Sequence, residues 1–151
     1  MGQLQGKTAV VLGAASEGNM GQTIARLFAK EGAKVMVAGR KEAPLAALAE
    51  EIGGAYALCD IANRAEVNAM ADKARDTFGR VDIAINTTGW GLLASMEEIT
   101  EEQLDQIVDL QFKGVHHFLQ AFVRVMSQQQ PTGGSLISLS SATTKAIITN
   151  H

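Results

Sequence analysis

Apolar residues along this chain fall into short runs and helical stripes that alternate from one end to the other. Thr8 to Leu12 (TAVVL) is a brief β-rich run, long enough for a strand buried on both faces and too short for a helix. After a glycine-bearing turn, Ile24, Leu27 and Phe28 recur at helical spacing, and Ala33 to Ala38 (AKVMVA) reads as a second strand. Leu45, Leu48, Ala49 and Ile52 mark a helix over Glu42 to Ile52, ended by Gly53-Gly54 in the manner of a C-cap. Ala55 to Cys59 is a third strand, and Val67, Met70, Ala71, Ala74 and Phe78 line one face of a helix that starts near Asn63 and stops at Gly79. Val81 to Ile85 is a fourth strand. Thr100 with Gln103 forms a capping box for a long helix, Glu101 to Gln128. Gly114 falls near its middle, where glycine costs ~1 kcal/mol relative to alanine, so a bend or a close approach is expected there. Pro131 to Gly134 makes a loop, and Ser135 to Ser140 (SLISLS) supplies a fifth strand. Strand and helix alternate without repeats, which predicts an α/β domain on a doubly wound parallel sheet of at least five strands.

The turn between the first strand and the first helix carries the candidate chemistry. Gly13 breaks the strand, Gly18 and Gly21 follow, and the helix opens directly after them. A pyrophosphate needs this arrangement: it must approach the backbone where a β-carbon would collide, and meet the unpaired amides of a helix N-terminus. Its position between a strand and a helix, with the next strand arriving on schedule, raises the motif above a plain tight turn. Gly39, Arg40 and Lys41 follow the second strand, where an adenosine ribose would lie. Asp60 stands at the carboxyl end of the third strand, the edge at which ligands sit in parallel α/β sheets, and reads either as an adenine contact or as a cap residue with Glu66 nearby. Asn86 to Gly91 is a polar, glycine-bearing loop at the same edge, with Trp90 as a pocket wall or a rim aromatic.

Composition narrows the partners to small molecules. At 151 residues and 46% hydrophobic, the chain can bury one substantial core, and nothing points to two domains. A net charge of -3, with no basic cluster longer than Arg40-Lys41, leaves no footprint for nucleic acid or an anionic membrane surface. No apolar run approaches the ~20 residues of a membrane span, and the first residues lack a charged-then-apolar leader pattern, so a cytoplasmic protein is expected. The single cysteine, Cys59, cannot form an internal disulfide and reads as a buried structural thiol. His116 and His117 are adjacent and face different directions, with no partner at ligand spacing, so no metal site is expected. The long helix has apolar surface to spare, which favours a homo-oligomer.

Taken together, these motifs resemble the short-chain dehydrogenase/reductase family, whose domain is a Rossmann fold, and the similarity covers essentially the whole chain. The family's N-terminal glycine motif is similar to Gly13, Gly18 and Gly21, with Ser16 and Met20 between them; its Asn-Asn-Ala-Gly is similar to Asn86-Thr87-Thr88-Gly89; its Asp after the third strand is similar to Asp60 with Ile61. The resemblance therefore implies coenzyme contacts at Gly13, Ser16, Gly18, Met20, Gly21, Arg40, Asp60, Ile61, Asn86, Thr88 and Gly89. It places the family's serine on Ser141, ahead of Ser138 and Ser140, as the group that orients a substrate oxygen, and the helical asparagine on Gln111, an amide one carbon longer. It implies hydride transfer between a nicotinamide and a ketone or secondary alcohol, with a tyrosine as acid/base and a lysine lowering its pKa. Subunits would associate as a dimer or tetramer. An acid ending the second strand would hydrogen-bond both ribose hydroxyls of NAD; Gly39 removes it and Arg40 offers a guanidinium to a 2′-phosphate, so NADP is favoured over NAD. Glu17 in the turn would oppose that phosphate.

The chain departs from the family pattern in two further ways. Its glycine turn is longer than the usual Gly-x3-Gly-x-Gly, a length that resembles the enoyl-thioester reductase branch. The family's Tyr-x-x-x-Lys would begin beyond His151, and Tyr56, the only tyrosine, belongs to the third strand. The enoyl-reductase tyrosine would fall on His151, which argues for carbonyl chemistry. These residues are expected to be the amino-terminal portion of a longer protein. A dinucleotide-binding sensor or scaffold without the acid/base pair is the competing expectation.

Overall fold

A computed structural model of the chain describes residues 2–141. Successive residues of a strand point to opposite faces of a sheet, and both faces of the first strand, β1 (Thr8–Leu12), are buried. Val10 and Leu12 pack on one side with Met36, Ala38, Ala57 and Ala84; Ala9 and Val11 pack on the other with Val35, Val37 and Ile85. That double burial is why these strands read as unbroken apolar runs.

The elements follow in the expected alternation: α1 (Met20–Lys30), β2 (Lys34–Gly39), α2 (Glu42–Glu51), β3 (Ala55–Leu58), α3 (Arg64–Phe78), β4 (Ile83–Asn86), α4 (Glu101–Ile107), α5 (Gly114–Gln128) and β5 (Ser135–Ser138). All pairings are parallel and the strand order is β3-β2-β1-β4-β5. Helices α3 and α5 cover one face of the sheet, centred on Phe118 and Phe122, whose ring centroids lie 4.9 Å apart; α1 and α2 cover the other. The chain winds outward from β1 to β3 and then returns to set β4 beside β1, so a crevice opens at the carboxyl ends of these two strands.

The helix ends carry their predicted signals. Asn63 accepts from the backbone N–H groups of Ala65 and Glu66, Gly79 ends α3 at φ 81, and Thr100 and Gln103 make both bonds of the capping box. The long helix differs from expectation. Between α4 and α5 the turns widen into a π-helical segment, Val108–Lys113, and Gly114 then meets Ile61, whose side-chain carbons lie 3.1 Å from where its β-carbon would be. The missing side chain thus serves a close approach, and the wide turn that precedes it absorbs the mismatch.

The amino edge of the sheet is locked by a polar network. The carboxylate of buried Asp82 accepts from the Thr8 N–H at 2.9 Å and from the Thr8 hydroxyl at 3.2 Å, while Arg80 donates to its other oxygen at 2.8–2.9 Å. Gln129 accepts from the Val81 N–H at 2.9 Å and donates to the carbonyls of Val81 and Gly133 at 2.8 Å. No described helix is long and apolar enough to cross a membrane.

Candidate functional site

Loops leaving the carboxyl ends of four strands converge on a cavity of about 180 Å³. The loop after β1 contributes Gly13, Ala15, Ser16 and Asn19; the end of β2 contributes Gly39, Arg40 and Lys41. Cys59, Asp60 and Ile61 come from the end of β3, Thr87, Thr88 and Gly89 from the end of β4, and Leu110 from the π-helical segment. Gly13, Ser16, Arg40, Asp60, Ile61, Thr88 and Gly89 of the sequence-predicted set are thereby brought together.

The remaining predicted residues of that set shape the cavity from behind. At Gly21 a β-carbon would sit 2.7 Å from the Gly13 carbonyl oxygen and 2.8 Å from the Thr87 hydroxyl; at Gly13, whose φ is 104, it would sit 2.9 Å from the Thr87 carbonyl carbon. Both glycines are therefore required by the packing of the β1 turn on the β4 loop, a reason added to the close approach of a ligand. Gly18 stands in open space and is demanded by its φ of 67 alone. Met20, exposed, is the first residue of α1. Asn86 is buried at the end of β4, and its side-chain oxygen accepts from the Thr88 N–H at 2.9 Å and the Thr88 hydroxyl at 2.7 Å. It folds the loop that reaches the cavity.

Two residues outside the predicted set hold the glycine turn. Asn19 caps α1 by accepting from the Gln22 N–H at 2.9 Å, and its amide donates to the Gly13 carbonyl at 2.7 Å. Gln22, 3% exposed, accepts from the Gly18 N–H and donates to the Ala14 carbonyl, both at 3.2 Å. The signal was present as an Asn three residues before a Gln at a helix start, an N-cap pattern that the glycines overshadow. Among the described residues, no acceptor is paired with the backbone N–H groups of Ser16, Glu17, Met20 or Gly21. These amides lie at the positive end of the α1 dipole.

Asp60 stands both at the cavity and in the turn that leads into α3. It lines the cavity, its carboxylate accepts from the Ala62 N–H at 3.0 Å, and its own N–H donates to Glu66 at 2.8 Å. Asn63, not Asp60, caps α3. Cys59 forms part of the wall as a buried thiol, pushed up to about 12 by burial and then by the nearby charges of Glu66 and Asp60, so it stays protonated and unreactive. Arg40 and Lys41 pair with no carboxylate among the described residues. The charge of Glu17 is felt instead at Arg26.

Ser141 and Gln111 lie outside the cavity lining. Ser141 is exposed, just past the end of β5. Gln111, exposed in the π-helical segment, donates its side-chain amide to the Trp90 carbonyl at 2.9 Å and so ties that segment to the β4 loop. Tyr56 donates its hydroxyl to Glu42 at 2.9 Å.

Residues 13–151 match the sequence profile of a family described as enoyl-(acyl carrier protein) reductase. The chain is 34% identical over 148 residues to oxidoreductase UcpA of Salmonella typhimurium, covering 95% of this chain and 54% of that protein. A crystal structure of a short-chain type dehydrogenase/reductase from Mycobacterium marinum superposes with a TM-score of 0.89 at 31% identity, over 96% of this chain and 60% of that one. The chain belongs to the short-chain dehydrogenase/reductase family. A 3beta-hydroxysteroid dehydrogenase of Mediterraneibacter gnavus is another relative, 32% identical over 147 residues, which are 93% of this chain and 51% of that enzyme. The present chain thus spans about half the length of these curated dehydrogenase/reductase relatives. Its cavity sits at the switch point between β1 and β4, where parallel α/β sheets of this kind place their ligands.

Proposed function

We propose that this chain is the coenzyme-binding portion of an NADP(H)-dependent oxidoreductase acting on a ketone or secondary alcohol. The observation that carries the proposal is the end of β2, where the guanidinium of Arg40, paired with no carboxylate among the described residues, lines the cavity directly after Gly39. A cation that no carboxylate neutralises fits a 2′-phosphate, and the absence of a side chain at Gly39 leaves the ribose of NAD without its usual acidic partner. The other residues fit the rest of a dinucleotide. The amides of Ser16, Glu17, Met20 and Gly21 would hold the pyrophosphate, Asp60 and Ile61 the adenine, and the loop from Asn86 to Gly89 the remainder. When bound, the coenzyme supplies or accepts a hydride.

Ser141 would orient the substrate oxygen and Gln111 would take the place of the family's helical asparagine. Tyr56 is not given the acid/base role, because it donates to Glu42 and is absent from the cavity lining. The name of the hydroxysteroid dehydrogenase relative is in keeping with a secondary alcohol. Self-association as a dimer or tetramer is supported by Leu104, Val108 and Phe112, exposed and spaced four apart. A cytoplasmic setting accords with a lone buried thiol.

A second activity, reduction of an unsaturated thioester, is favoured by the long glycine turn and by the description of the matching profile. Calorimetric titration tests the coenzyme: NADP should bind about tenfold tighter than NAD, the worth of one charge-assisted hydrogen bond. Equal affinities would remove the Arg40 argument. Oxidation of NADPH by a ketone, with none by an unsaturated thioester, decides between the two activities.

A further inference from the structure

We propose that Ala15 is a determinant of coenzyme choice, acting by closing the space that any side chain at position 39 would need. The inference rests on the coenzyme assignment above. Gly39 ends β2 outside the left-handed region, so its backbone does not itself require glycine. The requirement comes from the adjacent β1 turn. A β-carbon at 39 would lie 2.6 Å from the Ala15 methyl, against 3.3 Å from the Ala15 nitrogen and 3.5 Å from its α-carbon. Carbon atoms in contact settle at about 3.5–4.0 Å, so the methyl is the one atom that makes the position untenable.

Neither partner is free to yield. A methyl has no rotamer to turn aside, and the turn that carries it is fastened to β2 by two hydrogen bonds, from the Gly13 and Ala14 N–H groups to the Ala38 carbonyl at 2.8 and 3.0 Å. On its other side the turn is held by Gln22 through the Ala14 carbonyl and the Gly18 N–H. Moving Ala15 by the ångström needed would break these bonds. Removing its methyl would leave 3.3 Å as the shortest contact, which small shifts absorb. Ala15 and Gly39 therefore act as one unit. Together they would keep a carboxylate at position 39 away from the ribose, so that β2 presents Arg40 and Lys41 to the cavity.

The test is a double-mutant cycle on the full chain: wild type, Ala15→Gly, Gly39→Asp and the double variant, each melted thermally and titrated with NADP and with NAD. Gly39→Asp alone is expected to melt below wild type and to lose affinity for both nucleotides. The double variant should regain the melting temperature of Ala15→Gly, and its ratio of NAD to NADP affinity should rise by about tenfold or more over wild type. If Gly39→Asp alone melts like wild type and already prefers NAD, or if the double variant melts as low as Gly39→Asp, Ala15 excludes nothing and the proposal is overturned. Should Gly39→Asp not fold, Gly39→Ala carries the same β-carbon and runs the same melting cycle with Ala15→Gly. Binding of neither nucleotide by the wild type would overturn the coenzyme assignment instead, while the melts would still report whether residues 15 and 39 compete for space.

Discussion

The two edges of the sheet use polar residues in opposite ways. At the amino edge, Thr8, Arg80, Asp82 and Gln129 spend their hydrogen-bonding capacity on one another and on the ends of β1, β4 and β5. At the carboxyl edge, the amides of Ser16, Glu17, Met20 and Gly21 and the cations of Arg40 and Lys41 have no acceptor or carboxylate partner among the described residues, beside a cavity. Satisfied polar groups fix a structure; unsatisfied ones, held open by rigid neighbours, are what a ligand can use. The same strands thus carry a clamp at one end and a receptor at the other, and substitutions should separate stability from binding according to the edge they touch.

The largest effect is expected at the clamp. Asp82→Ala leaves Arg80 and the Thr8 N–H without their acceptor and should cost about 3 kcal/mol in urea denaturation, with the nucleotide affinity of the folded fraction unchanged. Acid provides an independent readout. Burial alone would raise the Asp82 carboxyl, but Arg80 and the Thr8 N–H and hydroxyl outweigh it and hold it below its ordinary range. A folded value below the unfolded one means stabilisation present above pH ~4 and lost as the pH falls through the folded value. Asp82→Asn should flatten that acid limb; an unchanged limb would show that other carboxylates set it.

At the receptor, Arg40→Ala inverts the pattern. The side chain is exposed and unpaired, so stability should move by no more than about 0.5 kcal/mol. NADP affinity should fall by roughly ten- to a hundredfold while NAD affinity holds, because only the former loses a charge-assisted contact. Gln22→Ala lies between the two extremes. It frees the partly exposed Gly18 N–H and the buried Ala14 carbonyl and should cost about 1 kcal/mol of stability, weakening NADP and NAD alike. A selective loss of one nucleotide would contradict its place behind the turn.

The receptor was more legible in the sequence than the clamp. Apolar periodicity predicted every strand and the helices within a few residues, and strand-end loops brought Gly13, Arg40, Asp60 and Thr88 to one cavity. Those signals are local: a glycine or a charge placed just after a strand. The clamp joins Thr8 to Asp82 and Val81 to Gln129 across 74 and 48 positions, and no local pattern announces such pairs. The π-helical segment leaves no local signal for a related reason. Its cause lies partly in Ile61, which α5 approaches only after the chain has wound through another strand. Ala15 carried no signal at all, since a methyl matters only through what stands opposite it.

The smallest expected effect tests whether the receptor edge is held together as a unit. Gln111 makes one exposed hydrogen bond, to the Trp90 carbonyl, and Gln111→Ala should change stability by less than about 0.5 kcal/mol. Its consequence should be local, because the bond joins the π-helical segment, whose Leu110 lines the cavity, to the loop that carries Thr88 and Gly89. Trp90 is the sole tryptophan, 37% exposed, so its fluorescence reports that loop without interference. Loss of the tether should make the indole more accessible to acrylamide, with the far-ultraviolet spectrum and the acid limb set by Asp82 left as they are. Quenching equal to wild type would mean that the bonds from the Thr87 N–H and hydroxyl to the Leu12 carbonyl of β1 suffice to hold the loop, and that Gln111 contributes nothing to the shape of the cavity.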